Sequence, residues 1–485
     1  MRLLDCLSKH ALFPLNERRE GTRILPSLHS LEATQWMPHQ QFEDLRFRKL
    51  RAILEHAFEN TAFYRRRFGE AGITPKDIRD FDDLRLLAPL TKDDLVRHQN
   101  ELIARNLRPS ERHSSTTGGS SGTHTPFYRD NACLNVKMAV EYRCNQWCGW
   151  DVGRKVAVLW PAVQDLFDDE SWKQKLRYRL VNRRLLLYTG ELNEAVMSQL
   201  AKRLDRFGPR LIRAFPYALA VLAKYIRDAT PYRIRPAGIL ATGEPLLANH
   251  RALFEEVFDC PVFNCYSSRE CGHIACECES HDGLHINAEC LHVEFQMSNK
   301  PVKAGEPGHL LLTDLENYGM PFIRYEIGDM GVPLAGQCGC GRTLPRMGMN
   351  AGRDTDFLYS PHNDSLISGT ICHDFIADGP DVGQLQIIQD SRDHLTIRIK
   401  KGRRDAADDI KKEYLKSVID QVFHGKMRVT FEAVDTISRA KSGKFRVCIN
   451  QWLKTSDSQT PTWEPDTGPV LEGTMPENNA VPGRA

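Results

Sequence analysis

Between Thr116 and Pro126 the chain runs Thr-Thr-Gly-Gly-Ser-Ser-Gly-Thr-His-Thr-Pro, with no large apolar side chain to bury. Glycine permits positive φ and close backbone approach, so the N–H groups and hydroxyls of such a loop can fold around an anion. The chemistry to expect of it is phosphate binding. A flexible Gly/Ser linker has the same composition, and the stretch alone does not separate the two. A second constellation is sulfur-rich. Cys278 and His285, followed by Cys338-x-Cys340, offer three thiolates and one imidazole, a set suited to tetrahedral zinc. Cys271, His273, Cys276 and His281 compete for the same role, and reduced core cysteine is the plainer reading of all of them. Four protein ligands would make the site structural and leave no open position for catalysis.

These groups must be positioned by a large scaffold. At 485 residues the chain exceeds one hydrophobic core, and its 41% hydrophobic and 26% charged content is that of a soluble globular protein. With 65 basic and 63 acidic residues the formal net charge is +2, which gives no electrostatic case for nucleic acid or an anionic membrane. No apolar run approaches the ~20 residues of a membrane span, and Met1 to Glu20 lacks a signal-peptide core. A cytoplasmic location is therefore expected. The 14 cysteines then argue for reduced thiols or metal ligands over a disulfide framework.

Apolar periodicity predicts helices from 42 to 105, with turns near Pro75 and Pro89, and a helix over 134–147. Short buried strands are expected at 156–160, 185–188, 211–215, 238–242 and 262–266. Helices over 172–184, 192–207, 217–227 and 246–258 alternate with them. That alternation is the pattern of a parallel sheet with helices on its faces, whose ligands bind at the carboxyl ends of the strands. Phe215-Pro216-Tyr217, Ala241-Thr242-Gly243-Glu244 and Tyr266-Ser267-Ser268 fall there. From 289 to 332 the texture turns to β, with strands expected at 291–296, 309–313 and 322–325. A β-α-β unit follows: strands 384–388 and 395–399, helix 405–423 and strand 427–433. The expected division is a large domain over 1–352, a small one over 353–453 and a disordered tail over 454–485.

Five stretches stand in order: Thr117-Gly118-Gly119-Ser120-Ser121-Gly122-Thr123, Tyr266-Ser267-Ser268-Arg269-Glu270, Phe322 to Asp329, Gly352-Arg353-Asp354, and Ser438 to Arg446 around Lys444. The set resembles the adenylate-forming superfamily of acyl-CoA synthetases, and within it the phenylacetate–CoA ligase and CapK-like branch. Phe215-Pro216-Tyr217, Gly243-Glu244-Pro245-Leu246, Gly283 to Ile286 and Cys338 to Arg342 support the branch. The resemblance covers residues 40 to 450. It implies an α/β large domain with a β segment and a small, mobile α+β domain. The implied reaction has two steps. A carboxylate attacks the α-phosphate of ATP, giving an acyl-adenylate and pyrophosphate; a thiol, usually coenzyme A, then displaces AMP.

By the same resemblance the loop from Thr117 to Thr123 holds the β- and γ-phosphates, and Glu270 helps hold Mg²⁺. Gly243, Glu244, Ser267 and Ser268 belong to the nucleotide site. Tyr266 lies against adenine, Asp329 accepts from the ribose hydroxyls, and Arg353 holds ribose or phosphate oxygens. Lys444 reaches the α-phosphate and carboxylate. Taken without the family, the alternative for Asp329 is a turn carboxylate after Gly328, and for Lys444 a surface lysine in a basic turn. Arg324 reads as an ion-pair member and is left outside the site. The carboxylate pocket is expected at Phe215, Pro216, Tyr217 and Ala241, for an aryl or apolar acid. Coenzyme A or another acceptor is the second partner, and a homodimer is compatible with the sequence. Two departures stand out: Thr123 and His124 occupy the place where the family's loop usually carries lysine, and Thr355 stands at the family's hinge position.

Overall fold

The computed structural model describes residues 3–116, 126–160, 172–189, 194–349, 357–362, 365–368, 385–400, 408–437 and 448–452. A short antiparallel hairpin opens the α/β part, β1 (Arg112–Thr116) against β2 (Pro126–Asp130). It brackets the glycine-rich stretch, which itself lies outside the described residues. Asp130 ends β2 and caps the helix Asn131–Trp147, accepting from the Cys133 N–H at 2.9 Å.

The central feature is one mixed sheet of twelve strands, ordered β11-β10-β12-β13-β14-β9-β8-β7-β6-β5-β3-β4. One wing comprises β3 (Val156–Trp160), β4 (Arg184–Tyr188), β5 (Leu211–Ala214), β6 (Gly238–Thr242) and β7 (Val262–Ser268), all parallel. Their near-continuous apolar runs follow from burial on both faces. On one face, Ile212, Ala214, Ile239 and Ala241 pack under the helix Pro216–Ala229; on the other, Leu211, Val158 and Leu240 join the core beneath Asn131–Trp147. The other wing is antiparallel: β10 (Leu291–Met297), β11 (Lys300–Pro301), β12 (Gly308–Asp314) and β13 (Tyr325–Leu334). Three short strands, β8 (Gly272–Glu277), β9 (Leu284–Ile286) and β14 (Arg346–Gly348), join the wings.

Two local differences separate the structure from the sequence reading. The expected strand at 322–325 begins only at Tyr325, because Arg324 sits at φ +52 and breaks the extended run before it. The expected helix over 172–184 stops at Leu180, and Arg184 already opens β4. The strands β8 and β9 are additional elements within the cysteine-rich segment.

Toward the C-terminus, β15 (Phe357–Ser360) and β16 (Ser365–Ser368) form a hairpin. A separate four-stranded sheet follows, ordered β19-β18-β17-β20, from β17 (Leu385–Ser391), β18 (His394–Lys400), β19 (Arg428–Val434) and β20 (Cys448–Asn450). With the helix Asp408–Val422 it encloses its own core of Leu358, Ile387, Leu395, Ile397, Leu415 and Phe423. The expected domain boundary at 352–353 and the tail from 454 lie outside the described residues.

Candidate functional site

Register alone brings three of the expected segments together. Ala214 on β5 pairs with Ala241 on β6, and Thr242 on β6 pairs with Cys265 on β7. Phe215, Gly243 and Tyr266 therefore leave the carboxyl ends of three adjacent parallel strands. Side chains then knit the ends: the Tyr217 N–H donates to Glu244 Oε2 at 3.2 Å, and the Thr242 and Ser267 hydroxyls lie 2.8 Å apart. Gly243 has φ +84, and a Cβ there would come within 2.5 Å of the Phe215 ring. Both the left-handed backbone and the close ring require glycine at this position. Phe215 is itself held edge-on against Trp160 at 4.6 Å. Pro216 occupies the first turn of its helix, where a missing N–H costs nothing. Ala241 lies fully buried in the core under the same helix.

Two β-bulges place the polar groups. Opposite Tyr266 and Ser267 of β7, β8 carries one extra residue, Ile274, between His273 and Ala275. Against β12, β13 shifts where Glu326 to Met330 oppose only Leu311 to His309, so Ile327, Gly328 and Asp329 bow out, with Gly328 at φ +79. A bulge re-aims its side chain. Here the β13 bulge carries Asp329, and the Tyr266 hydroxyl donates to Asp329 Oδ2 at 2.7 Å. Glu270 is buried, on the turn between β7 and β8 that Ser268 closes by accepting the Cys271 N–H at 3.0 Å. Arg324 pairs with Glu294 and donates to the Leu87 carbonyl, a structural ion pair as expected. The loop residues Thr117 to Thr123, Arg353 and Lys444 lie outside the described residues.

Beneath the aromatic wall, on the helix side of the sheet, runs a charged layer that the sequence did not announce. Glu141 of the Asn131–Trp147 helix pairs with Arg213 on β5 and with Arg184 on β4, the latter at 2.8 Å. Arg213 in turn lies 3.5 Å from His273 Nε2. Burial alone would raise the Glu141 carboxyl, but the two guanidinium groups outweigh it and hold it at about 2.

The sulfur cluster assembles at the corner between the wings. Donor atoms of Cys278, His285, Cys338 and Cys340 all lie within 4.8 Å of one another. Cys278 Sγ is 3.7 Å from Cys338 Sγ, and Cys340 Sγ is 3.3 Å from His285 Nε2. His285 Nδ1 meets the Leu344 carbonyl at 3.2 Å, so it carries the proton and leaves Nε2 with a lone pair toward the thiols. Burial holds this imidazole down at about 4, keeping it neutral, the form in which it can bind a metal. The N–H groups of Ser280 and Arg342 point at Cys278 and Cys340 sulfur, each at 3.5 Å. The set fits a tetrahedral metal ion with no ligand position left open. Three of the four competing groups have other neighbours. His281 contacts Glu277, His273 lies beside Cys265, and Cys271 is buried near Lys137.

The fold matches that of a structurally known class. A crystal structure of 2-hydroxyisobutyryl-CoA ligase, in the postadenylation state with 2-HIB-AMP, superposes with a TM-score of 0.71 at 20% identity, over 87% of this chain and 92% of that one. Another crystal form of the same ligase, open and holding 2-HIB-AMP and CoA, gives 0.59. The architecture is therefore that of the adenylate-forming CoA ligases. Residues 358–451 match the CapK C-terminal domain family. A phenylacetate–coenzyme A ligase of Escherichia coli is 27% identical over 66% of this chain and 72% of its own. A Thermus thermophilus protein of that name is 24% identical over the same shares. Protein CapK of Staphylococcus aureus is 22% identical over 84% of this chain and 89% of its own. Over these shares the chain is similar to the phenylacetate–coenzyme A ligases and to CapK, on a fold shared with the adenylate-forming CoA ligases.

Proposed function

We propose that this protein is an ATP-dependent, AMP-forming ligase that adenylates a carboxylic acid and passes the acyl group to the thiol of coenzyme A. The observation that carries this reading is the Tyr266–Asp329 contact at the carboxyl ends of the parallel strands. It joins two motifs 63 residues apart at the place where this branch seats adenine and ribose. Glu270 stands four residues beyond Tyr266 and supplies the carboxylate for Mg²⁺. The Thr117–Thr123 loop takes the triphosphate, and Arg353 the ribose or phosphate oxygens. Lys444 neutralises charge at the α-phosphate as the carboxylate oxygen attacks and pyrophosphate leaves. Fixed donors and cations around that developing charge are what phosphoryl chemistry needs. Phe215 and Trp160 form an aromatic wall beside Tyr217, and this supports an aryl or apolar acid. Zinc on Cys278, His285, Cys338 and Cys340 is structural, joining the two wings.

A second acceptor is favoured by one observation. The CapK relative matches over 84% of this chain and the CapK family domain covers 358–451, whereas the phenylacetate ligases match over 66%. The small domain serves the transfer step in this superfamily, so an amine, hydroxyl or carrier thiol is the alternative to coenzyme A. Pyrophosphate release with a panel of acids, with and without coenzyme A, tests both. Pyrophosphate release without coenzyme A-dependent AMP release moves the acceptor away from coenzyme A, and no release with any acid ends the ligase reading. Lys444→Ala should abolish the first step and leave preformed acyl-adenylate reactive.

A further inference from the structure

Arg129 lies on β2, three residues beyond Pro126, on the strand that returns from the glycine-rich stretch. Its guanidinium crosses to the turn between β7 and β8. One terminal nitrogen donates to the Arg269 carbonyl and also approaches the Glu270 carbonyl at 3.3 Å. The group is fixed from behind by the Phe127 ring, 4.8 Å from the guanidinium carbon. Its Nε is buried and without a partner among the described residues. The strand carrying it is docked independently. Asp130 accepts the Tyr318 and Gly319 N–H groups at 2.8 and 3.1 Å, and Asn317 donates to the Tyr128 carbonyl at 3.0 Å. Gly319 allows that approach, since a Cβ there would come 3.0 Å from the Asp130 nitrogen. The turn bearing Glu270 thus has a rigid donor beneath it, reached from the base of the phosphate-loop hairpin.

We propose that Arg129 is a positioning residue for adenylation, holding the turn that carries Glu270 so that its carboxylate can meet Mg²⁺. This rests on the assignment of Glu270 as the metal-holding acid. Among the described residues the hydrogen-bond partners of Arg129 are main-chain oxygens, so it acts through Glu270 and takes no part in the chemistry. Partners of this kind, one contact removed from the ion, typically change metal affinity 10- to 100-fold.

The test uses the full-length protein, Arg129→Ala and Arg129→Lys. It measures Mg²⁺ dependence of ATP binding by calorimetry, pyrophosphate release, and thioester formation from preformed acyl-adenylate. In Arg129→Ala the half-saturating Mg²⁺ should rise about tenfold and pyrophosphate release should fall, with the thioester step unchanged. Lysine, which can still donate to one carbonyl, should restore part of the Mg²⁺ affinity. Unchanged Mg²⁺ dependence in Arg129→Ala, or equal loss in both half-reactions in both variants, overturns the positioning role. Wild-type protein that binds Mg²⁺–ATP but releases no pyrophosphate overturns the ligase reading while the Arg129 comparison still stands. Wild-type protein that does not bind Mg²⁺–ATP overturns both.

Discussion

Replacing Glu141 by glutamine tests the charged layer beneath the aromatic wall. The carboxyl has 14% of its side chain exposed and serves two arginines, so solvent screens it little. Its fall from 4.5 to about 2 is equivalent to ~3 kcal/mol, at ~1.4 kcal/mol per pH unit. Because the folded value is depressed, that stability is fully present above the unfolded value near 4.5 and is lost as pH falls toward 2. Glu141→Gln should therefore cost ~3 kcal/mol at pH 7, where Arg184 and Arg213 lose their shared counter-charge. The gap to wild type should narrow below about pH 4 and nearly close at pH 2. Denaturant unfolding followed by tryptophan fluorescence at a series of pH values reads this, with Trp147, Trp150 and Trp160 nearby in the chain. A gap as wide at pH 3 as at pH 7 would refute the ion-pair account and leave only a packing effect.

Three further outcomes follow from the site. Tyr266→Phe removes the donor to Asp329 and should raise KM for ATP about tenfold, a hydrogen bond to a charged acceptor being worth ~1.5 kcal/mol; a change under about twofold would mean the contact is not used with nucleotide bound. Gly243→Ala drives a Cβ to within 2.5 Å of the Phe215 ring at φ +84, and should lower stability by about 1–3 kcal/mol. Phe215→Leu in the same chain should recover only the steric part, as thermal unfolding can check. Purified protein should carry about one zinc per chain, and Cys340→Ser should cut it by more than half; metal analysis showing equal zinc in both would remove Cys340 from the ligand set.

The parallel wing was legible because its strands are short apolar runs bounded by charge, glycine or proline, as at Val156–Trp160 and Gly238–Thr242. The strands β8 and β9 were not, because their segment is dominated by cysteine and histidine, whose types suggested ligands before extended backbone. The Phe322–Tyr325 expectation slipped since a pattern of apolar residues does not show that Arg324 is left-handed. Within the site, Tyr266 and Asp329 stand out from their motifs, but the β13 bulge that carries Asp329 leaves no mark in composition. Arg129 was invisible for a related reason: its partner turn is 140 residues away. Glu141 reads as one polar position on a helix until Arg184 and Arg213 arrive from other strands.

Along the sheet, β13 and β7 are separated by β14, β9 and β8. Four steps of ~4.8 Å would put them about 19 Å apart on a flat sheet. Yet Tyr266 of β7 and Asp329 of β13 meet at 2.7 Å, so the sheet must turn back on itself like the spine of a half-closed book. The three joining strands form that spine, and His285, on β9 between them, is one jaw of the sulfur cluster. The opening angle of the book sets how far the two pages stand apart where the nucleotide would lie. Variants that loosen the sulfur cluster at the spine should therefore be sought among those with altered nucleotide fit as well as among those that unfold.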